Sequence, residues 1–183
     1  MSAREQLKEL LLEKSVKKGD FTLASGKKSD LYVDCRVTAM DCHGACLVGQ
    51  VGWDLVKDLV EKENLDCIGG MTMGADPVSL AVGMTSAQNG GNLQVFTIRK
   101  EPKDHGRGKQ IEGNFSEGNR VLIVDDVITT GGSTLKAIEA VRKAGGTVVA
   151  ALVLVDREEG GREAIEAEGV PVHPMFTRTQ LFS

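Results

Sequence analysis

Hydrophobic positions along the chain alternate between helical and strand spacing, and this alternation predicts a layered α/β domain with a largely parallel sheet. Leu47, Val51 and Leu55 recur every fourth residue, as on the buried side of a long helix. The pattern as a whole predicts helices over about 3–16, 44–62, 76–88, 133–144 and 162–168, and strands over about 31–35, 65–68, 93–98, 121–124, 147–155 and 170–177.

Two sequence features predict where elements begin and end in the middle of the chain. Gly69 and Gly70 follow the short apolar run 65–68, so we expect that strand to end there. Asp76 is followed by Pro77, and this pair predicts a helix start, because Asp can cap free amides and proline suits the first helical position.

The segment from Arg99 to Asn119 does not follow the pattern. Its sequence, RKEPKDHGRGKQIEGNFSEGN, lacks helical or strand periodicity over about twenty residues, and such loops are usually functional or disordered. Between Arg99 and Lys109, here called the basic loop, five Lys or Arg residues and His105 accompany only two acidic residues. A solvated charged loop is one explanation; the position between predicted strands favours an anion-binding loop.

The composition describes an acidic chain with enough apolar residues for a core. The 183 residues are 41% hydrophobic and carry 22 Lys and Arg against 26 Asp and Glu, a formal net charge of −4. This balance argues against a general nucleic-acid or membrane-surface binder, so a bound anion needs a local cluster. No apolar run approaches the ~20 residues that span a bilayer, and no secretory segment is visible, so we expect a cytoplasmic protein. The length predicts one domain over 1–183.

Four cysteines, Cys35, Cys42, Cys46 and Cys67, raise the question of a metal site, since His43 adjoins one of them. No pair has the two-residue gap of a zinc knuckle. We therefore favour buried or half-buried thiols in a reducing compartment.

The run from Arg120 to Thr134, RVLIVDDVITTGGST, carries the most informative chemistry. Asp125 and Asp126 follow four apolar strand residues, at the strand end where open α/β sheets bind ligands. Gly131 and Gly132 let backbone amides approach an anion at a helix N-terminus, so the turn 129–133, here called the phosphate cradle, predicts a site for one phosphate.

Adjacent carboxylates would repel a phosphate unless they bind hydroxyls or a cation of the same ligand. A sugar phosphate with vicinal hydroxyls, together with magnesium, satisfies both demands. The alternative is a tight strand-to-helix turn in which Asp125 or Asp126 only caps amides. The nucleoside-triphosphate and dinucleotide glycine motifs are absent from the sequence.

The segment VLIVDDVITTGGS resembles the phosphoribosyl-diphosphate signature of the type I phosphoribosyltransferases. Four other segments resemble the orotate-specific family of that class, in that family's order: FTLASGKKSDLYVDCR, MTMGADPVSLAVG, FTIRKEPKDHGRGKQIEG and LVDREEGG. The resemblance spans about Phe21 to Gly161. It implies a mostly parallel central sheet flanked by helices, a small N-terminal hood within about 1–40, and a long flexible catalytic loop over about 99–119.

The resemblance implies a role for each part of the signature. Asp125 and Asp126 would hold the ribose hydroxyls, and Mg²⁺ would bridge the sugar and diphosphate, bound mainly through the substrate. The phosphate cradle would bind the 5-phosphate, and Thr129 would also touch orotate. The implied substrate-binding residues here are Asp125, Asp126, Val127, Ile128, Thr129, Thr130, Gly131, Gly132 and Ser133.

The basic loop would meet the diphosphate, partly across a dimer interface. Its implied substrate-binding residues are Arg99, Lys100, Lys103 and His105, and the implied catalytic residues are Lys100, Lys103, His105, Asp125 and Asp126. Displacement at an anomeric carbon has oxocarbenium character, so the loop would stabilise the departing polyanion and, on closing, exclude water. Gly106, Gly108 and Gly113 provide places for it to bend.

Three positions outside the phosphoribosyl-diphosphate signature and the basic loop also matter to the resemblance. Arg157 would bind the orotate carboxylate; a surface ion pair with Glu158 or Glu159 is the alternative from sequence alone. Tyr32 would stack on the base, or else pack on the core as a strand residue. Ala24 departs from the family, since several relatives carry Lys there.

The implied reaction is transfer of the 5-phosphoribosyl group from phosphoribosyl diphosphate to orotate, giving orotidine 5-monophosphate and diphosphate in pyrimidine biosynthesis. The implied assembly is a homodimer with shared active sites and with no nucleic-acid or membrane partner. A phosphoribosyltransferase for another base, such as a purine, is the nearest alternative. A regulator that senses phosphoribosyl diphosphate is another, but it would be expected to add a nucleic-acid-binding helix pair or basic face.

Overall fold

Helices and strands alternate along the chain, as the hydrophobic pattern predicts. The structure, a computed structural model, describes residues 1–22, 28–101 and 109–183. In chain order its elements are α1 (Ala3–Lys14), β1 (Val16–Thr22), β2 (Lys28–Val33), α2 (Cys35–Ala39), α3 (Cys42–Glu63), β3 (Cys67–Met71), α4 (Ala75–Gln88), β4 (Gln94–Ile98), β5 (Ile111–Gly113), β6 (Arg120–Ile128), α5 (Gly132–Lys143), β7 (Thr147–Asp156), α6 (Gly161–Glu166), β8 (Val172–Thr177) and α7 (Arg178–Phe182).

Six strands form one sheet in the order β5-β4-β3-β6-β7-β8. Neighbours pair in parallel from β4 to β8, and β5 joins the edge as an antiparallel strand. The predicted α/β class with a mostly parallel sheet is therefore confirmed. Because parallel strands end at the same edge of a sheet, the segments that follow β3, β4, β6 and β7 lie on one side of the molecule. A separate antiparallel hairpin, β1 and β2, lies within the residues expected to form the hood.

Side chains of β6 alternate between two hydrophobic cores, one on each face of the sheet. Leu122 and Val124 belong to the core that includes residues of α1, α3 and α4. Val121 and Ile123 belong to the core that includes residues of α5 and α6. Since the strand period is two, the alternation sends Asp125 toward α5 and Asp126 toward α4.

The structure differs from the sequence expectations around β3 and α4. The strand β3 continues through Gly69 and Gly70, where we expected it to end. A Cβ at Gly70 would collide with the backbone of Val124 in β6, so glycine is required here by close strand packing rather than by a turn. The helix α4 begins at Ala75, so that Asp76 lies inside it rather than capping it.

Other differences involve short elements and strand ends. The strand β6 runs on to Ile128, past both aspartates, because its backbone stays paired with β7. The segment 99–119 contains the edge strand β5, whose Ile111 pairs with Ile98. Strand β1 and helices α2 and α7 were not predicted, and Cys35, which we expected in a strand, begins α2. Within the described residues, no helix is both long and apolar enough to cross a membrane.

Candidate active site

Asp125 anchors the end of β6 to the helix that follows it. The Thr134 hydroxyl donates to the Asp125 carboxylate at 2.7 Å, and the Asp126 amide donates to it at 3.1 Å. Burial raises the pKa of Asp125 to about 7; the hydrogen bond from Thr134 opposes this shift, and the charge of Asp126 adds to it. The carboxylate therefore holds the turn in place and is costly to ionise in the free protein.

Asp126 lies on the opposite face, against the turn that follows β3. A Cβ at Gly74 would meet the Asp126 carboxylate, so a larger residue here would displace that carboxylate. Burial raises the pKa of Asp126, and the nearby positive charge of Arg36 lowers it. Asp126 is less buried than Asp125. Of the two carboxylates, Asp126 is thus the more accessible to a ligand.

The phosphate cradle is built from backbone packed on backbone. Gly131 has a φ of 79°, which favours glycine, and it precedes the first turn of α5 without any side-chain cap. A Cβ at Gly161, the first residue of α6, would lie 2.7 Å from both the Gly131 nitrogen and the Thr129 oxygen. Neither aspartate caps α5, contrary to the alternative open from the sequence. The uncapped amides and the helix dipole suit an anion.

Arg157 lies at the same sheet edge, directly after β7. Its amide donates to the Ile128 carbonyl at 3.0 Å, and its guanidinium pairs with Glu159 at 2.8 Å. One part of the alternative from sequence, the ion pair with Glu159, is therefore present. The residue exposes only 4% of its surface, however, so this is no surface pair. Glu158 instead accepts from Thr179.

Helix α2, which follows the hairpin, lies beside the strand that carries Asp126. Asp34 caps α2 and accepts two hydrogen bonds from the Arg36 guanidinium, at 2.8 and 2.9 Å. The helix α2 packs beside β6, which brings the charge of Arg36 near Asp126. Tyr32, on β2, is 38% exposed, so it is not a core residue. Its stacking on a base stays a prediction.

The structure describes only the two ends of the basic loop. Arg99 and Lys100 directly follow β4 and are exposed, and Arg99 pairs with Glu112 of β5 at 3.2 Å. Parallel pairing of β3 and β4 brings both to the edge that carries the aspartates. Lys103, His105, Gly106 and Gly108 lie outside the described residues, as does Ala24.

Sequence reasoning missed several residues at this edge. Gly74 and Arg36 are not among the predicted site residues, and neither is Asp76, which accepts hydrogen bonds from Thr72 and Thr97. All but Thr97 lie in two quoted segments, FTLASGKKSDLYVDCR and MTMGADPVSLAVG, and Thr97 lies in a third. The sequence shows that Gly74 is small and that Asp76 carries a carboxylate, and this was the available signal. Which residues they contact could not be identified without the fold.

The cysteines and acidic clusters add no separate centre. All four thiols are free; Cys35 and Cys67 are buried, whereas Cys42 and Cys46 are exposed, which corrects the expectation that all four are buried or half-buried. Among the residues that the structure describes, no group of three or more His, Cys, Asp or Glu side chains could hold a metal.

Comparisons with known proteins agree with this geometry. Residues 83–169 match the family model of the phosphoribosyl transferase domain. The orotate phosphoribosyltransferase of Aquifex aeolicus is 43% identical over 184 residues, covering 99% of this chain and 98% of the relative. A crystal structure of the Mycobacterium tuberculosis orotate phosphoribosyltransferase with Fe(III) dicitrate superposes with a TM-score of 0.84 at 38% identity, covering 98% of this chain and 99% of that one.

A second crystal structure of the Mycobacterium tuberculosis enzyme contains 5-phospho-α-D-ribosyl 1-diphosphate. It superposes with a TM-score of 0.80 at 34% identity and covers 100% of both chains. Together with the parallel sheet, the uncapped cradle and the paired aspartates, these similarities confirm the predicted resemblance: the chain belongs to the orotate phosphoribosyltransferase family.

Proposed function

We propose that this chain transfers the 5-phosphoribosyl group from phosphoribosyl diphosphate to orotate, giving orotidine 5-monophosphate and diphosphate for pyrimidine biosynthesis. The observation that carries the proposal is the meeting of three groups at one sheet edge. These are the uncapped amides of α5, the two carboxylates of β6 and the buried guanidinium of Arg157. A phosphate, a ribose and a carboxylate-bearing base supply the complementary chemistry in one ligand pair.

In this proposal the end of β6 and the cradle bind the sugar phosphate. The 5-phosphate accepts hydrogen bonds from the cradle amides and hydroxyls, and the ribose hydroxyls donate to Asp126. Asp125 contacts the sugar from a more fixed position, because Thr134 already holds it. The residues proposed to touch this substrate are Asp125, Asp126, Val127, Ile128, Thr129, Thr130, Gly131, Gly132 and Ser133.

The leaving diphosphate is assigned to the basic loop. Arg99, Lys100, Lys103 and His105 are proposed to bind it, with Lys100, Lys103 and His105 acting on the charge that grows as the bond breaks. Orotate attacks through its ring nitrogen, so no protein nucleophile is required. Tyr32 is proposed to cover the base, and its partial exposure supports this role.

The aspartate pair also fits a Mg²⁺ ion that arrives with the substrate. Burial raises the pKa of both carboxyls, the charge of Asp126 adds to the shift at Asp125, and a nearby cation would favour their ionised forms. Two neighbouring carboxylates are oxygen donors of the kind Mg²⁺ prefers when phosphates complete its shell. The ion would neutralise charge on the diphosphate, while the protein orients the sugar.

A base-selectivity assay tests the function. Phosphoribosyl diphosphate, Mg²⁺ and one base at a time are incubated with the protein, and diphosphate release is measured against a control without base. Orotate is expected to be consumed, because Arg157 offers a buried partner for its carboxylate. Adenine, hypoxanthine and uracil lack a carboxylate and are expected to remain essentially unchanged. Turnover of a purine without turnover of orotate would contradict the proposal.

We also propose a homodimer in which each basic loop acts on the neighbouring site. An exposed apolar face on α4 and α2 supports the proposal, because a second copy of the chain could cover it. Leu80 and Met84 lie one turn apart on α4 and are 53% and 61% exposed. Val37 and Met40 are also exposed, and α2 packs against α4. Two-fold dimers are the commonest assembly, and this face adjoins the Gly74 turn at the site.

Mixing two inactive variants tests the shared site. Lys103→Ala impairs the loop, and Asp126→Asn impairs the ribose site. If the loop acts in trans, a mixed dimer has one wholly native site, so subunit exchange restores activity. A mixture that forms heterodimers by mass spectrometry yet stays as inactive as its components would contradict the shared site. The four free thiols support the further proposal of a reducing, cytoplasmic setting.

A further inference from the structure

Asp76 joins two segments that border the site. Its two carboxylate oxygens accept from the Thr72 hydroxyl at 2.7 Å and from the Thr97 hydroxyl at 2.5 Å. We call these three residues the Asp76 bridge. Asp76 is the second residue of α4, a position where a carboxylate ordinarily stabilises the helix through its dipole. Here the two oxygens are engaged by hydroxyls from outside the helix.

Thr72, at one end of the Asp76 bridge, begins the turn that lies against Asp126. Thr72 is the first residue after β3, and two residues later Gly74 lies directly against the Asp126 carboxylate. A shift of Thr72 would therefore move the surface on which Asp126 rests. The turn packs so closely on Asp126 that a Cβ at Gly74 would displace the carboxylate.

Thr97, at the other end of the Asp76 bridge, lies just before the start of the basic loop. Thr97 is the penultimate residue of β4, two residues before Arg99. The Thr72 amide also donates to the Ile98 carbonyl at 2.9 Å, so backbone and side chains tie the same two segments together. Hydrogen bonds that a hydroxyl donates to a carboxylate are among the stronger ones in proteins.

We propose that Asp76 is a positioning residue for the diphosphate side of the reaction, holding the Thr72–Gly74 turn and the first residues of the basic loop in a fixed relation. This inference rests on the proposed function of the site. It assigns Asp76 no contact with substrate. The Asp76 bridge acts through Arg99 and through the support of Asp126, whereas the phosphate cradle and Arg157 lie on other elements.

The test compares hydroxyl and carboxylate deletions in the full-length chain. Asp76→Ala is expected to lower kcat/KM for phosphoribosyl diphosphate about 100-fold, as small misplacements of reacting groups can. Calorimetric affinity for inorganic diphosphate with Mg²⁺ is expected to fall about tenfold, and that for orotidine 5-monophosphate to stay within about threefold. Asp76→Asn, which keeps an acceptor oxygen, is expected to recover part of the activity.

Two threonine variants and a control make the assignment specific. Thr72→Val and Thr97→Val are each expected to lower kcat/KM about tenfold alone and to add little in the Asp76→Ala background, since they remove the same interaction. Thr85→Val is the matched control. It removes a hydroxyl from the same helix, one that donates only to the Ala81 carbonyl at 2.9 Å, and should leave the kinetics unchanged.

Three results would overturn the inference. One is an Asp76→Ala variant with unchanged kinetics. Another is an equal loss of affinity for diphosphate and nucleotide together with a lower Tm, which would indicate a general structural role. A third is full additivity of the threonine and aspartate variants. Failure of the wild-type chain to use orotate would instead contradict the proposed function, because the diphosphate measurements do not depend on the base.

Discussion

The phosphate cradle and the Asp76 bridge lie at the same edge of the sheet but are held in place by different means. In the cradle, glycine backbone packs on glycine backbone, and no side-chain movement can relieve an added Cβ at Gly161. In the bridge, three side chains meet through two hydrogen bonds. Under the proposed function, the cradle is therefore a fixed receptor for a group that does not react, while the bridge supports a segment that has to meet a leaving group.

The same contrast recurs between the two neighbouring aspartates. Asp125 is fixed by Thr134 on the α5 side, in common with the cradle. Asp126 rests on the Gly74 turn, in common with the bridge. We therefore expect substitutions on the α5 side to affect stability and activity together, and substitutions on the α4 side to affect activity more selectively.

The largest effect is expected from Gly161→Ala. The added Cβ would lie 2.7 Å from backbone atoms of Gly131 and Thr129, so the cradle must open, and activity should fall at least about 100-fold with a reduced Tm. Steady-state kinetics and calorimetry measure both. Gly118→Ala is the control: its φ of 87° adds a backbone strain that Gly161→Ala does not have, but nothing lies within 4 Å of the new Cβ. Equal losses in both variants would contradict the collision.

The next largest loss of activity is expected from Asp126→Asn, which we compare with Asp125→Asn. Asp126→Asn is expected to lower kcat/KM about 100-fold with little change in Tm, because it removes a charge beside the reacting sugar. Asp125→Asn also loses activity and changes Tm measurably, because it alters the buried contact with Thr134. Identical Tm and kinetic changes in the two variants would remove the distinction between the two sides.

Arg157→Ala should affect binding of the base more than the functions of the α5 side and the α4 side. Loss of a charge-assisted contact to the orotate carboxylate typically costs about 1.5–3 kcal/mol, which corresponds to a roughly 10- to 100-fold higher KM for orotate. The KM for phosphoribosyl diphosphate should change less. Arg142→Ala, which removes an exposed pair with Glu168, serves as the control. An unchanged KM for orotate would require another residue for the carboxylate.

The smallest effect concerns pH and the free protein. The folded pKa of Asp125 is about 7 against an ordinary value of 3.8, so between these values the folded state binds more protons than the unfolded state. Stability from this group is complete at low pH and is lost as pH rises through 7. Relative to Asp125→Asn, the wild-type free energy of unfolding should fall by about 2–3 kcal/mol from pH ~5 to ~8. Denaturant titrations measure it; an opposite slope would exclude the raised pKa.

Local sequence patterns were sufficient for most elements and for the strand and turn at the centre of the candidate site. The apolar run before Asp125 predicts a buried strand, and the glycines after Thr130 predict a turn at a helix start, since both depend on neighbouring residues. The identity of the family could likewise be inferred from the quoted segments, and the comparisons confirm it. Because the signature is continuous in sequence, little tertiary information was needed to find it.

Tertiary structure decided which residues support one another across elements. Gly69 and Gly70 continue a strand because β3 lies between β4 and β6, and Asp76 accepts from two hydroxyls because β3 and β4 end side by side. Their local sequence predicts a strand end and a helix cap instead. Sequence by itself determined the period, the charges and the chemistry of this chain; packing between distant segments decided where glycine is required and which oxygen each hydroxyl reaches, because those contacts depend on backbone positions far apart in sequence.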